Sequence, residues 1–151
     1  MPFFSERENM NILGVELNNK EAVLSLISYD NGLLNVKETR TRGIELRNGE
    51  TSEGVQGFQF QFSKFIEDYK IDVIAIKQRA TKGKFSGSAN SFKMEAAIQL
   101  IEGADVAMLS ATEIKETMKR NPIEFTMKDL DLRQFQEHAF NTAYTFALNS
   151  N

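Results

Sequence analysis

The order in which strand-like and helix-like patterns follow one another constrains the fold of this chain more than any other feature. Three segments with strand character come first, at residues 12–17, 22–29 and 33–39. Alternation of apolar and polar side chains is the pattern of a strand with one buried face. Asn31-Gly32 separates the second segment from the third, and Asn-Gly favours a tight hairpin turn because both residues tolerate positive φ. The N-terminal part of the chain therefore predicts an antiparallel meander of three strands.

Helical and strand patterns then alternate over the rest of the chain. Phe58, Phe62 and Phe65 fall at helical spacing, and Phe60 lies off that stripe. The elements predicted after this helix are a strand at 73–77, a helix near 90–102, a strand at 106–109, and helices at 111–120 and near 132–148. The resulting order, β-β-β-α-β-α-β-α-α, predicts an α/β domain in which a mixed five-stranded sheet carries helices on both faces.

Composition limits the chemistry that the chain can support. Its 151 residues, 41% of them hydrophobic and 26% charged, suit one domain, which we expect at 11–150 after a disordered extension at 1–10. The absence of cysteine and the single histidine, His138, exclude thiolate zinc sites, cysteine nucleophiles and centres of several histidines. No apolar run approaches the ~20 residues of a membrane span, and a signal-peptide pattern is missing. We therefore expect a cytoplasmic protein without a metal or cofactor.

Four stretches, in the correct order, resemble the motifs of RNase H-like proteins and most closely those of RuvC-type Holliday-junction resolvases. They are ILGVELN, IAIKQR, GKFSGSANSFKMEAAIQLI and HAFNTAYTFAL, at residues 12–18, 74–79, 83–101 and 138–148. The chain also resembles a bacterial family of unknown function in this superfamily. The resemblance implies an RNase H-like fold, contact with DNA or RNA, and a homodimer.

The sequence departs from the resolvase pattern at the acidic positions. Carried over one by one, the four positions where the family places catalytic carboxylates hold Glu16, Lys77, His138 and Asn141. Two-metal phosphodiester cleavage depends on oxygen ligands, usually anionic, around Mg²⁺, and a protonated lysine brings positive charge to that place. We therefore predict a catalytically inactive protein with this degenerate site. Because the first and fourth strands of the fold are neighbours, we also predict a Glu16–Lys77 ion pair.

Two other interpretations of the acidic and titratable residues stay open. A nuclease with relocated acids would draw on Asp72, Glu95 or Glu137. Separately, the functional interpretation of His138 is a lone general base, although a histidine near a helix start is more often a surface or capping residue. Cleavage that depends on Mg²⁺ or Mn²⁺ distinguishes a surviving nuclease from an inactive relative.

Segment 77–93 is the strongest candidate for a binding surface. It carries five cations and no acid, and its glycines and serines allow close backbone approach to a phosphate. We predict that it binds nucleic acid through phosphate contacts and through stacking of an aromatic ring on a base. The residues predicted for these roles are Arg79, Lys82, Lys84, Phe85 and Lys93. The alternatives are a solvated flexible loop, and a protein-interaction scaffold that binds no nucleic acid.

Overall fold

The computed structural model describes residues 9–84 and 86–150. The elements in chain order are β1 (Asn9–Leu17), β2 (Glu21–Asp30), β3 (Leu33–Lys37), β4 (Gly43–Glu45), α1 (Ser52–Asp68), β5 (Val73–Lys77), α2 (Ala89–Gln99), β6 (Asp105–Leu109), α3 (Ala111–Arg120), a 3-10 turn (Gln134–Gln136) and α4 (Glu137–Asn149). None of the described helices is long and apolar enough to cross a membrane.

The strands form one mixed sheet in the order β3-β2-β1-β5-β6, with β4 paired to β2 as a sixth strand. β1, β5 and β6 run parallel, and β2 is antiparallel to β1, β3 and β4. The α/β class and the initial meander are confirmed. The five predicted strands are confirmed as well, and β4 adds a sixth strand of only three residues in a polar segment, too few to give a strand pattern.

The structure shows both the turn and the first strand of the predicted meander. Asn31 and Gly32 have φ of 53° and 83°, the positive values that the hairpin turn requires. β1 begins at Asn9, and Met10 is a buried core residue. The last two residues of the expected N-terminal extension therefore belong to the sheet, and residues 1–8 lie outside the described part of the chain.

The sheet is covered on both faces, as predicted. Alternate side chains of β1 point to opposite layers, so Leu13 and Val15 belong to one core and Ile12 to the other. In the first layer, α1 and α2 contribute the buried side chains Phe58, Phe62, Phe65, Met94 and Ile98. In the second layer, α3 and α4 contribute Ile114, Phe140, Ala143 and Ala147.

Gly14 is the point at which α4 approaches β1 most tightly. A Cβ atom added there would lie 1.9 Å from the carbonyl oxygen of Ala139 and 2.9 Å from the Cβ of Ala143. Only a residue without a side chain fits this approach. Gly14 therefore fixes the first turns of α4 over the C-terminal half of β1, and so places His138 beside the end of that strand.

Ser110 and Glu113, at the start of α3, have the spacing of a capping box, and only half of that box is formed. The hydroxyl of Ser110 accepts a hydrogen bond from the backbone N–H of Glu113 at 3.0 Å, as an N-cap should. The carboxylate of Glu113 instead accepts from the side-chain amide of Asn149 at 3.1 Å. The side chain of Glu113 therefore bonds to Asn149 of α4 rather than to the backbone N–H of Ser110. This hydrogen bond joins α3 and α4, the two helices of the second layer.

Candidate functional site

The four positions that the resemblance assigns to catalytic acids come from β1, β5 and the start of α4. β1 and β5 pair in parallel with Val15 opposite Ile76, so Glu16 and Lys77 are the next neighbours at the ends of their strands. His138 is in the first turn of α4 and lines the same cleft as Glu16. Asn141 follows it along α4 and is half-buried. The topology therefore brings the degenerate positions to one end of the sheet.

The predicted Glu16–Lys77 ion pair is wrong. Within residues 9–84 and 86–150 neither side chain forms an ion pair, although the strand register makes the two residues neighbours. Both are only half-buried. A charged group that reaches water at a strand end gains little from pairing, since exposed ion pairs contribute only about 0–1 kcal/mol.

The three acids considered as relocated metal ligands each bond to a different partner. Asp72 accepts from the backbone N–H of Asn11 at 2.8 Å, and Glu95 pairs with Arg79 at 2.8 Å. Glu137 accepts from the side-chain amide of Gln134 at 3.2 Å. In the part of the chain that the structure describes, no group of three or more histidine, aspartate or glutamate side chains is arranged to hold a metal ion.

Glu16 and His138 open into a cleft of about 970 Å³ that crosses the edge of the sheet near β2 and β4. We call it the edge cleft. One side is formed by α1, and the opposite side by the 3-10 turn and the start of α4. Its basic and aromatic lining consists of Arg40, Arg42, Arg47, Phe60, Lys64, Phe65, Phe135 and His138.

The four cations of the edge cleft differ in how firmly they are held. Arg40 is fixed by a 2.8 Å ion pair with Asp68, and its guanidinium lies over the ring of Phe65. Arg42 is exposed, and its side chain forms no hydrogen bond or ion pair with another described residue. Arg47, with an 82% exposed side chain, is 3.8 Å from its acidic neighbour Glu45. Lys64 forms an exposed ion pair with Glu67 at 3.4 Å. Arg42 and Arg47 are therefore the cations most available to an anionic ligand.

Two phenylalanines on opposite sides of the edge cleft are exposed. Phe60 is 67% exposed, and Phe135 is 55% exposed. Phe60 lies on the face of α1 opposite Phe58 and Phe62, with Lys64 one turn further on. Sequence reasoning missed both rings as site residues. The position of Phe60 off the helical stripe was a signal, whereas Phe135 gave none.

The position of Phe135 is set by its neighbour Gln136, which is buried. β4 and β3 pair with successive parts of β2 and leave the backbone of Leu24 between them. The N–H of Leu24 donates to the carbonyl of Arg42 at 2.9 Å. Its carbonyl accepts from the side-chain amide of Gln136 at 2.8 Å. Gln136 therefore fills the gap between two edge strands and fixes the 3-10 turn against β2.

Part of the predicted basic loop at 77–93 is held by contacts with other residues of the protein. Arg79 donates to Glu95, Ser91 and the carbonyl of Lys77, and its guanidinium lies 4.5 Å above the ring of Phe92. Its side chain is only 13% exposed. These contacts anchor the loop to α2, which argues against the predicted role of Arg79 as a direct phosphate ligand.

The other predicted residues of this loop have different surroundings. The ammonium of Lys93 donates to the carbonyl of Gly49 at 2.6 Å, so Lys93 holds the segment before α1. Lys82 and Lys84 are exposed, as phosphate contacts would require. Phe85 lies outside the described residues, and its predicted stacking role stays a prediction.

The fold is the RNase H-like fold found in RuvC, which confirms the fold that the resemblance implied. RuvC from Thermus thermophilus has the same fold, with a TM-score of 0.73 at 12% identity over 93% of this chain and 95% of that one. T. thermophilus RuvC in complex with a Holliday junction substrate gives 0.71 at 11% identity, over 93% and 94%. The yeast mitochondrial Holliday junction resolvase Ydc2 gives 0.51 at 12% identity, over 93% and 82%.

Within that class, the chain belongs to the family described as "Protein of unknown function (DUF3010)", whose sequence profile matches residues 10–146. Among curated proteins, none matches the sequence significantly. The family membership agrees with the expected family of unknown function, and the function has to be argued from the site.

Proposed function

We propose that this protein binds nucleic acid on a RuvC-type fold without cleaving it. The observation that carries the proposal is the composition of the degenerate site, where Lys77 stands beside Glu16, and His138 and Asn141 complete the set. A hard divalent cation needs several oxygen ligands, mostly anionic, and one carboxylate next to an ammonium does not supply them. The residues present do not fit a two-metal centre, so no cleavage step is derived from them.

Binding is supported by exposed cations near that site. Lys82 and Lys84 belong to the basic loop, and Arg42, Arg47 and Lys64 line the edge cleft. One solved protein of the same fold is a complex with a Holliday junction substrate, which makes a nucleic-acid ligand the natural first candidate. In this proposal Arg79 and Lys93 position the surface and do not contact phosphates.

The first experiment measures binding and cleavage together. Fluorescence anisotropy with branched, duplex and single-stranded oligonucleotides is recorded over a salt series, and the same samples with Mg²⁺ or Mn²⁺ are run on a denaturing gel. If all five exposed cations met duplex phosphates, the affinity would fall about 500-fold between 50 and 200 mM salt. We expect strongly salt-dependent binding and intact strands. Metal-dependent cutting would overturn the proposal, and so would a lack of binding at low salt.

Restoring carboxylates tests whether the degenerate positions were assigned correctly. The triple variant Lys77→Glu, His138→Asp, Asn141→Asp should bind Mn²⁺ at one site in isothermal titration calorimetry, whereas the unchanged protein should not, because hard cations require clustered oxygen ligands. The control Lys119→Glu, Gln56→Glu, Gln99→Glu makes the same charge change at scattered exposed positions. Equal Mn²⁺ binding by the folded triple variant and this control would show that the positions do not form one site.

A protein-interaction scaffold is the second candidate function. An apolar groove of about 340 Å³ favours it, lined in part by Ile27, Leu34, Tyr144 and Phe125, which is 62% exposed. The predicted homodimer would be its simplest occupant, in a protein that we expect in the cytoplasm. Analytical ultracentrifugation of the unchanged chain and of Phe125→Ser tests this, since a dimer built on the groove should dissociate in the variant.

A further inference from the structure

We infer that the edge cleft takes a single nucleic-acid strand whose unpaired bases stack on Phe60 and Phe135. The inference rests on the proposed function and adds to it the surface and the kind of strand. It differs from the predicted binding by the basic loop, because Arg79, Lys82, Lys84 and Lys93, the described residues predicted there, do not line the cleft.

The exposure of the two rings is the first observation behind it. Phe60 and Phe135 present apolar faces to water from opposite sides of one cleft, although the neighbouring Phe58 and Phe62 are buried. An aromatic ring offered to solvent beside basic side chains is the platform on which single-strand binders stack bases. Neither ring forms an aromatic pair with another described residue, and more than half of each residue is exposed to a ligand.

The charges around the rings supply the second observation. Arg42 and Arg47 reach into the cleft between the two sides, and Lys64 lies one helical turn from Phe60. Among the described residues, the acids of the lining are Glu16, Glu21 and Glu45, against four cations. Two of these cations, Arg40 and Lys64, are paired with acids of α1 outside the lining. This is a mixed surface with basic side chains close to the rings, which suits phosphates that alternate with stacked bases. A volume of about 970 Å³ is at the top of the usual range for ligand pockets, about 300–1,000 Å³.

The rings also distinguish a single strand from a duplex. In a duplex the base faces are covered by their neighbours in the stack, so rings can meet them only after the bases are unstacked. Unpaired bases meet no such barrier, and any base can stack because every base has a π-face. The cleft should therefore prefer single strands and be tolerant of sequence.

The test compares variants that remove a ring with a variant that removes an exposed apolar side chain elsewhere. The probes are fluorescein-labelled oligothymidylate, oligouridylate, a duplex and a four-way junction. Phe60→Ala with Phe135→Ala should lose about tenfold or more in single-strand affinity per ring and keep its affinity for the duplex. Leu100→Ala, at a 75% exposed position outside the edge cleft and the apolar groove, should bind as the unchanged protein does. Oligothymidylate and oligouridylate distinguish DNA from RNA as the source of the strand.

Further variants distinguish the contribution of ring stacking to the affinity from the contributions of side-chain volume and of positive charge. Phe60→Leu with Phe135→Leu keeps apolar volume without a π-face, so it should lose most of the single-strand affinity while its melting temperature stays near that of the unchanged protein. Arg42→Gln with Arg47→Gln should reduce the log–log salt slope for oligothymidylate by about 1.4. Both results would support the cleft as the binding surface.

The failures are distinguishable. Single-strand binding that persists in the double phenylalanine variants but is lost in Lys82→Ala with Lys84→Ala would overturn the inference and leave the proposed function intact. An equal loss of single-strand and duplex affinity would also overturn it, since it would assign the rings a structural role. Absence of binding to all four probes would overturn the inference and the proposed function together.

Discussion

Alanine at Gly14 should destabilise the fold by about 2–3 kcal/mol or more, which is the upper range for an overpacked core position. Its Cβ would lie 1.9 Å from the carbonyl oxygen of Ala139. That atom belongs to the backbone of α4, so relief requires moving a whole helix rather than rotating a side chain. Urea unfolding followed by circular dichroism measures the change in the free energy of unfolding.

Gly57 provides a matched control within α1. A Cβ there meets nothing within 4 Å, and the residue is exposed in the middle of the helix. Gly57→Ala should therefore stabilise the protein by about 0.5–1 kcal/mol, because alanine loses less backbone entropy in a helix. Values for Gly14→Ala that stay within about 0.5 kcal/mol of the unchanged protein, the usual range for neutral surface changes, would contradict the tight approach of α4 to β1.

Arg79→Ala should cost about 2–3 kcal/mol, below the ~3–5 kcal/mol for removing one partner of a fully buried ion pair, because this pair is partly buried. The pair is well covered, with side chains 13% and 20% exposed for Arg79 and Glu95. The substitution leaves Glu95 without its counter-charge and removes the packing of the guanidinium on Phe92. Arg47→Ala is the control, because its 82% exposed side chain lies 3.8 Å from Glu45 and such pairs contribute about 0–1 kcal/mol.

A second variant and a binding measurement separate anchoring from direct ligand contact. Arg79→Met with Glu95→Gln should recover part of the lost stability, since no charge is then left unpaired. If Arg79 only positions the basic loop, Arg79→Met should weaken nucleic-acid binding without changing the log–log salt slope. A slope smaller by about 0.7–0.9 would instead show one lost phosphate contact and would restore the role predicted from the sequence.

The elements that sequence reasoning predicted well are those with a strong local signal. The hairpin at Asn31-Gly32 and the buried strand Val73–Lys77 depend on turn chemistry and on continuous apolar runs, which the sequence displays directly. β4 gave no comparable signal, because its three residues are held by hydrogen bonding to the edge of β2 rather than by an apolar pattern. Its existence depends on a partner strand twenty residues away, and local periodicity does not contain that information.

The candidate site was predicted less completely than the fold, for a related reason. Arg79 was expected to be free because the basic segment contains no acid, yet its counter-charge is sixteen residues away on α2. Glu16 and Lys77 were correctly expected to be neighbours, but the ion pair was not formed, since sequence does not reveal how much water reaches a strand end. The edge cleft joins Phe60 and Phe135, whose distance in sequence hides their common position.

The hydrogen bonds to Leu24 have a consequence for how a ligand would enter. One bond joins β2 to the carbonyl of Arg42, and the other joins it to Gln136, so the segment that carries Arg42 and the 3-10 turn that carries Phe135 are tied to a single residue of a central strand. Moving either segment away from β2 would break one of these bonds, whereas a ligand that fits the existing shape breaks neither. Little conformational entropy is then lost in these two segments on association, because this part of the receptor is already organised. On this side of the cleft, discrimination among ligands would therefore follow from shape.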